Sequence, residues 1–340
     1  MQSLIAKLQS GFDLSPADVE FAVDLLVNPA VDESAKADFL EALRNKGETA
    51  EEMAAFVEAL LRHAVDPGID ASRLSGPLLD VCGTGGDRLE LFNVSTTSMF
   101  VLAAGGAVVV KHGNRAITSK CGGADVLEAL GVRIELPPED LRRCVETLGL
   151  GFVFAPAYHP AFKVIGPVRK TLAARGVRTI FNLLGPLLNP IRPAHQLVGI
   201  FSPELLPKYA AALAALGRTR AWAVHGSGMD ELSTCAPSDV VEITPATSRN
   251  VTIVPADLGI ATAQLEDLRG GDCAHNAALL VGILDGTIRG AKRDMVVLNA
   301  AAGFVVCGLA PDLPGGLARA AAQIDSGTAL AKLRALQAFR

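Results

Sequence analysis

Between Asp80 and Gly131 the chain repeats one physical device in quick succession: backbone amides and small polar side chains are brought to the end of an apolar strand. Pro77 to Val81 reads as a buried strand, and Gly83-Thr84-Gly85-Gly86-Asp87 follows at its carboxyl end. Glycines there let the backbone take positive φ and approach an anion with no Cβ in the way. Asn93-Val94-Ser95-Thr96-Thr97 then leads into the helical stretch Met99 to Ala104, whose free N–H groups favour a negative ligand. A second apolar strand, Ala107 to Val110, delivers Lys111-His112-Gly113-Asn114-Arg115, two of whose residues are cations suited to a polyphosphate. Thr118-Ser119-Lys120 and Gly122-Gly123 open a further helix, Ala124 to Leu130. A single glycine-rich turn is common between a strand and a helix. Several in succession, on one edge of a parallel sheet, predict a site for a phosphate-rich small molecule.

With 340 residues the chain has room for a large domain and a smaller one. The longest strongly apolar stretch, Met99 to Val110, contains Gly105-Gly106 and is too short to span a bilayer. Met1 to Leu8 reads as an amphipathic helix without the regions of a signal peptide, so a cytoplasmic protein is expected, with no membrane partner. A net charge of -5 argues against a nonspecific nucleic-acid binder. The six cysteines are far apart, with no CxxC pair, which indicates reduced thiols rather than a zinc site or a disulfide framework.

Residues 1–66 read as four short helices. The clearest start is Ser15-Pro16-Ala17-Asp18, with Val19, Ala22, Val23 and Leu26 supplying an apolar face at helical spacing. Asp66 to Gly76 is a turn-rich link. From Leu78 the chain alternates strands and helices, with strand-like segments at Phe152 to Phe154, Val198 to Phe201 and Ala221 to His225. The expected class is α/β: a small all-helical domain beside a large domain with a mostly parallel central sheet flanked by helices.

Gly83 to Asp87, Asn93 to Thr96, Lys111 to Arg115, Ala124 to Gly131, Arg178-Thr179-Ile180-Phe181-Asn182 and Gly228-Met229-Asp230-Glu231-Leu232-Ser233 occur in this order. Together with Leu298 to Ala302 near the C-terminus, they resemble the motif set of the anthranilate phosphoribosyltransferase family over nearly the whole chain. The resemblance implies transfer of the phosphoribosyl group of phosphoribosyl pyrophosphate to the amino group of anthranilate, with release of pyrophosphate, as the second step of the tryptophan branch. It also implies a helical domain of residues 1–68 with 160–190, a large domain of 75–158 with 192–340, an active site at the hinge, and a homodimer. Leu4, Ile5, Leu8, Val23 and Leu26 are the candidates for the dimer contact.

Carried onto this sequence, the resemblance assigns phosphoribosyl pyrophosphate to Gly83, Gly86, Asp87, Asn93, Val94, Ser95, Thr96, Lys111, His112, Gly113, Asn114, Arg115, Ala116, Ile117, Thr118 and Ser119. It assigns anthranilate to Gly83, Asn114 and Arg169, with His112, Tyr158, His159 and Pro186 lining the pocket or its channel. Mg²⁺ falls to Ser95, Asp230 and Glu231. Hard cations prefer such oxygen ligands, although an acidic pair in a loop is by itself an ordinary solvated turn. An aromatic amine is neutral and nucleophilic at neutral pH, so no strong acid or base is required.

The pattern is departed from at three places. Leu91 and Gly123 stand where the family often has hydroxyls, each lost bond being worth about 1 kcal/mol unless a backbone amide, a water or Arg88 replaces it. Extra residues around Ala173-Ala174-Arg175 separate Arg169 from Arg178. The competing readings are a pyrimidine nucleoside phosphorylase-like enzyme, whose signature loops are not seen, and a noncatalytic nucleic-acid-binding relative, which would need a basic surface.

Overall fold

The structure is a computed structural model that describes residues 1–86, 89–116 and 120–340. Four helices come first: α1 (Gln2–Gln9), α2 (Pro16–Val27), α3 (Glu33–Lys46) and α4 (Ala50–Leu61). Reciprocal capping boxes set two of the starts, Ser15 with Asp18 for α2 and Thr49 with Glu52 for α4. Glu52 is buried because it also pairs with Lys46 at 2.8 Å and accepts from the Leu14 amide at 2.8 Å.

The chain then enters the sheet through β1 (Leu78–Gly83), α5 (Val94–Ala104), β2 (Val108–Gly113), α6 (Gly123–Ala129), α7 (Pro138–Leu148) and β3 (Leu150–Phe154). It leaves through α8 (Ala155–Tyr158) to α9 (Phe162–Ala174), which packs on α2 and α3, and returns at β4 (His195–Gly199). There follow α10 (Leu206–Ala215), β5 (Arg220–His225), β6 (Ser238–Ile243) and β7 (Ser248–Ile253). Four helices close the chain: α11 (Cys273–Leu284), α12 (Ala291–Val306), α13 (Leu313–Asp325) and α14 (Thr328–Ala338).

The seven strands lie in the order β3-β2-β1-β4-β5-β6-β7, parallel from β3 to β5 and antiparallel beyond. The edge pair β6–β7 lies beyond the strand-like segments legible in the sequence. From β1 the chain moves outward through β2 and β3, then returns to the other side of β1 as β4. The direction of winding therefore reverses between β1 and β4, the position where open α/β sheets form a crevice at the carboxyl ends of their strands.

Alternation along the central strands divides the core in two. Val81, Leu197, Trp222 and Val224 face α5 and α12, whereas Cys82, Val198, Ala221 and Ala223 face α10 and the helical bundle. The bundle's apolar stripe is thus used inside the chain. Leu4, Ile5, Leu8, Val23 and Leu26, the candidates for a dimer contact, are at most 7% exposed and pack in the bundle core. Among the described residues, the large apolar side chains that face solvent are Phe12 (64%) and Phe21 (52%).

Candidate active site

At the reversal point β1 and β4 end side by side, with Gly83 in register with Gly199. The loop after β5 folds back over both. A Cβ on Gly83 would stand 2.3 Å from Asp230 Oδ2, one on Gly199 1.5 Å from the Asp230 carbonyl oxygen, and one on Gly226 2.3 Å from the Glu231 carbonyl oxygen. The acidic loop can lie there only because these strand ends carry no side chain. His225 shapes the turn before it, donating from Nδ1 to Ile200 O at 2.7 Å and accepting from the Gly228 amide at Nε2 at 3.0 Å.

Both carboxylates are held by backbone amides. Gly85, at φ 66°, donates to Asp230 Oδ2 at 2.6 Å, and Ser95 N, in the first turn of α5, donates to Glu231 Oε1 at 3.2 Å. Behind them Asn299 of α12 accepts from Leu232 N and donates to Leu232 O and Met295 O, each at 2.9 Å. Lys111 is buried, and its Nζ donates to Ser95 Oγ at 3.0 Å and Val81 O at 2.5 Å. Asp230, Glu231, Ser95 and Lys111 are therefore gathered at the mouth of the glycine turn that contains Gly83 and Gly86.

Several other expected phosphate ligands are engaged elsewhere. Asn93 donates to Cys121 O and accepts from Asn276, both at 3.0 Å, so its side chain ties α5 to α11. Val94 and Thr96 are buried. Arg115 pairs with Glu128, lies 3.9 Å from both Asp125 and Glu135, and rests over Phe154. Asn114 is exposed and accepts from the Arg115 amide at 2.8 Å, while Ala116 N donates to Asp125 at 2.8 Å. Gly113 passes close to Phe152, where a Cβ would stand 2.8 Å from the ring. The expectations for Asp87, Ile117, Thr118 and Ser119, and for Arg88, lie outside the described residues.

An aromatic file runs from the end of β2 to α9. His112 Nδ1 donates to Gly185 O at 3.2 Å, which leaves its Nε2 to accept from His159 Nε2 at 3.2 Å. His159 stacks on Phe162, Phe162 meets Phe181 edge-on, and the Arg169 guanidinium lies 5.5 Å over Phe181. Tyr158, expected in the pocket wall, is 1% exposed and donates to Leu136 O at 2.9 Å, which makes it a core residue. Pro186 is also buried, its carbonyl accepting from Gln196 at 2.6 Å.

Burial pushes His112 down to about 3, helped by the neighbouring His159, and pushes His159 down to about 4. Both rings are neutral at pH 7. In the unfolded chain each would titrate near 6.5, so the unfolded state binds more protons as the pH falls below that value. Stability is expected to drop by about 2 kcal/mol per histidine between pH 7 and pH 5. Urea denaturation at both pH values checks this: His159→Gln should flatten the slope, and an unchanged slope refutes the assignment.

Residues 75–330 match the glycosyl transferase family a/b domain and residues 2–64 the helical bundle domain of the same family. Anthranilate phosphoribosyltransferase of Anaeromyxobacter dehalogenans is 45% identical over 99% of this chain and 98% of its own. That of Desulfatibacillum aliphaticivorans is 43% identical over 99% and 97%. The chain belongs to the anthranilate phosphoribosyltransferase family. Among solved structures, the Thermus thermophilus anthranilate phosphoribosyltransferase is 41% identical with a TM-score of 0.91, covering 99% of this chain and 98% of that one. The Saccharomyces cerevisiae anthranilate phosphoribosyltransferase in complex with phosphoribosyl pyrophosphate and Mg is 27% identical with a TM-score of 0.87, covering 98% and 96%.

Each departure from the family pattern has a local structural setting. Leu91 forms a backbone bridge with Arg269 and packs its side chain on the core. Beside Gly123 the space is taken by Thr96, whose Oγ1 would lie 3.1 Å from an added Cβ. The extra residues extend α9 to Ala174, and Arg175 pairs with Glu41 at 2.6 Å. Sequence reasoning missed Gly199, Gly226 and Asn299 as parts of the anthranilate phosphoribosyltransferase site, because what they touch lies in distant segments.

Proposed function

We infer that this enzyme transfers the phosphoribosyl group of phosphoribosyl pyrophosphate to the amino nitrogen of anthranilate, in tryptophan biosynthesis. The observation that carries the reading is the Asp230-Glu231 loop, clamped over the paired ends of β1 and β4 beside Ser95 and the buried Lys111. Bond formation from the amine to C1 of the ribose expels pyrophosphate, and the nitrogen then loses a proton. The amine is neutral before attack, so the protein's work is to aim it and to stabilise the departing charge.

Among the described residues no three or more His, Cys, Asp or Glu converge on a metal position. A pair of carboxylates with a hydroxyl fits Mg²⁺, which takes one or two protein carboxylates and completes its shell with phosphate and water. Asp230, Glu231 and Ser95 would hold it. When bound, the ion neutralises the pyrophosphate leaving group. Lys111 adds a fixed positive charge beside Ser95, and the open backbone at Gly83 and Gly86 admits the donor closely. Arg169 takes the anthranilate carboxylate, next to the neutral His112–His159 pair.

We place the hinge between residues 1–68 with 160–190 and the remaining large domain, and assign the enzyme to the cytoplasm. No described helix is long and apolar enough to cross a membrane. A homodimer through the helical domain is supported by the exposed Phe12 and Phe21 rather than by the residues of the bundle core.

Loss of anthranilate fluorescence tests the reading. Turnover should require anthranilate, phosphoribosyl pyrophosphate and Mg²⁺, and Asp230→Asn should lower kcat by roughly 10²-fold. Folded wild-type protein without turnover would overturn the assignment, and sedimentation of the same preparation reads the assembly.

A further inference from the structure

One guanidinium on the helical side of the cleft is engaged by none of the contacts described so far. Arg178 follows α9 and stands two residues before the turn Ile180–Asn182, whose residues Ile180 and Phe181 are buried and whose start is fixed by Thr179 N donating to Asn182 at 2.9 Å. Its backbone is thus anchored while its side chain is exposed. The guanidinium carbon lies 5.0 Å over the Phe201 ring, just beyond β4. Phe201 N donates in turn to Thr84 Oγ1 at 3.0 Å, and Thr84 N donates to Gly199 O at 2.9 Å. This chain of contacts joins Arg178 to the glycine turn across the cleft. An Nη of Arg178 stands 4.0 Å from the Cβ position of Gly86, where φ is 89°. Among the described residues no carboxylate pairs with Arg178, although Arg175, three positions earlier, is paired with Glu41.

We propose that Arg178 binds the diphosphate of the donor, reaching from the helical side to an anion that lies over the Gly85-Gly86 turn. This rests on the reading of the donor as phosphoribosyl pyrophosphate. Three features point the same way. A cation poised over backbone that no side chain covers is suited to an anionic ligand. Stacking on Phe201 orients the planar fork without consuming its N–H donors, which is how arginine presents two parallel bonds to phosphate. Finally, Lys111, a cation of the sheet side, is buried behind Ser95, so Arg178 would engage the diphosphate from the opposite wall. The two neighbouring arginines part after α9: Arg175 closes on Glu41 of α3, and Arg178 reaches the glycine turn.

The test pairs steady-state kinetics with calorimetric titration of pyrophosphate in the presence of Mg²⁺, for wild type, Arg178→Ala, Arg178→Lys and Arg175→Ala. Loss of a charge-assisted contact to phosphate is expected to raise the pyrophosphate Kd and the donor KM roughly ten- to hundredfold in Arg178→Ala. Lysine should recover part of that loss, the anthranilate KM should stay unchanged, and Arg175→Ala should match wild type. Melting curves confirm that each variant is folded. If wild type binds pyrophosphate and Arg178→Ala binds it equally well, the assignment of Arg178 is wrong while the donor reading stands. If the anthranilate KM rises instead, Arg178 belongs to the acceptor. Wild type that binds neither pyrophosphate nor the donor overturns both.

Discussion

Gly199→Ala is expected to disable the enzyme although residue 199 reaches no substrate. The new methyl would fall 1.5 Å from the Asp230 carbonyl oxygen and 2.3 Å from its carbonyl carbon, a backbone overlap that no rotamer change relieves. Either β4 or the acidic loop must move. The loop is held from behind by two bonds between Leu232 and Asn299, so the strain falls on the positions of Asp230 and Glu231. Overpacking of this kind costs about 3 kcal/mol, and displacing charge-stabilising groups by an ångström lowers turnover by roughly 10²-fold. Gly166, inside α9 with nothing within 4 Å of its Cβ position, is the control for stability, and alanine there should be tolerated or mildly stabilising. Thermal melts and steady-state rates of the two variants provide the check. Near-wild-type turnover in Gly199→Ala would mean that the loop adjusts freely and that its observed packing does not matter.

That site shows where sequence reading stops. The glycine turn after β1 and the helix starts at Ser15 and Thr49 were legible, or are simple to recognise, because each device is built from residues a few positions apart. The acidic pair was legible only through resemblance, since nothing local separates Asp230-Glu231 from a solvated turn. What makes it a site is the meeting of Gly83, Gly199 and Gly226 beneath it, and that meeting depends on strand register. The surroundings of Arg115 were not legible, for the converse reason. Its neighbours in sequence suggest a phosphate ligand, whereas Glu128, brought close by α6, holds it in an ion pair. Likewise the spacing of Val23 and Leu26 marks an apolar face correctly but does not say whether another helix of the same chain or a second copy covers it.

Arg169→Ala is expected to strike the acceptor alone. The Arg169 guanidinium is half-buried over Phe181, and burial pulls its pKa down from the ordinary arginine value. No carboxylate of the described residues pairs with it, so a desolvated cation waits beside the aromatic file of Phe181, Phe162 and His159. An aromatic ring bearing a carboxylate answers both features: its charge meets the guanidinium and its face meets the file. Removing the cation should raise the anthranilate KM roughly ten- to hundredfold while leaving the donor KM in place. Lysine should be a poor substitute, because it lacks the planar fork. The protein itself should be little weakened, since the charge is partly desolvated and unpaired with any carboxylate of the described residues, and only its contact with the Phe181 ring is lost. Aniline, which has the amine but no carboxylate, completes the cycle. If Arg169 grips the carboxylate, aniline should be a weak acceptor for wild type and no weaker for Arg169→Ala, because the two deletions remove the same interaction. Losses that instead multiply would place the carboxylate against another group and leave Arg169 a structural cation of the hinge.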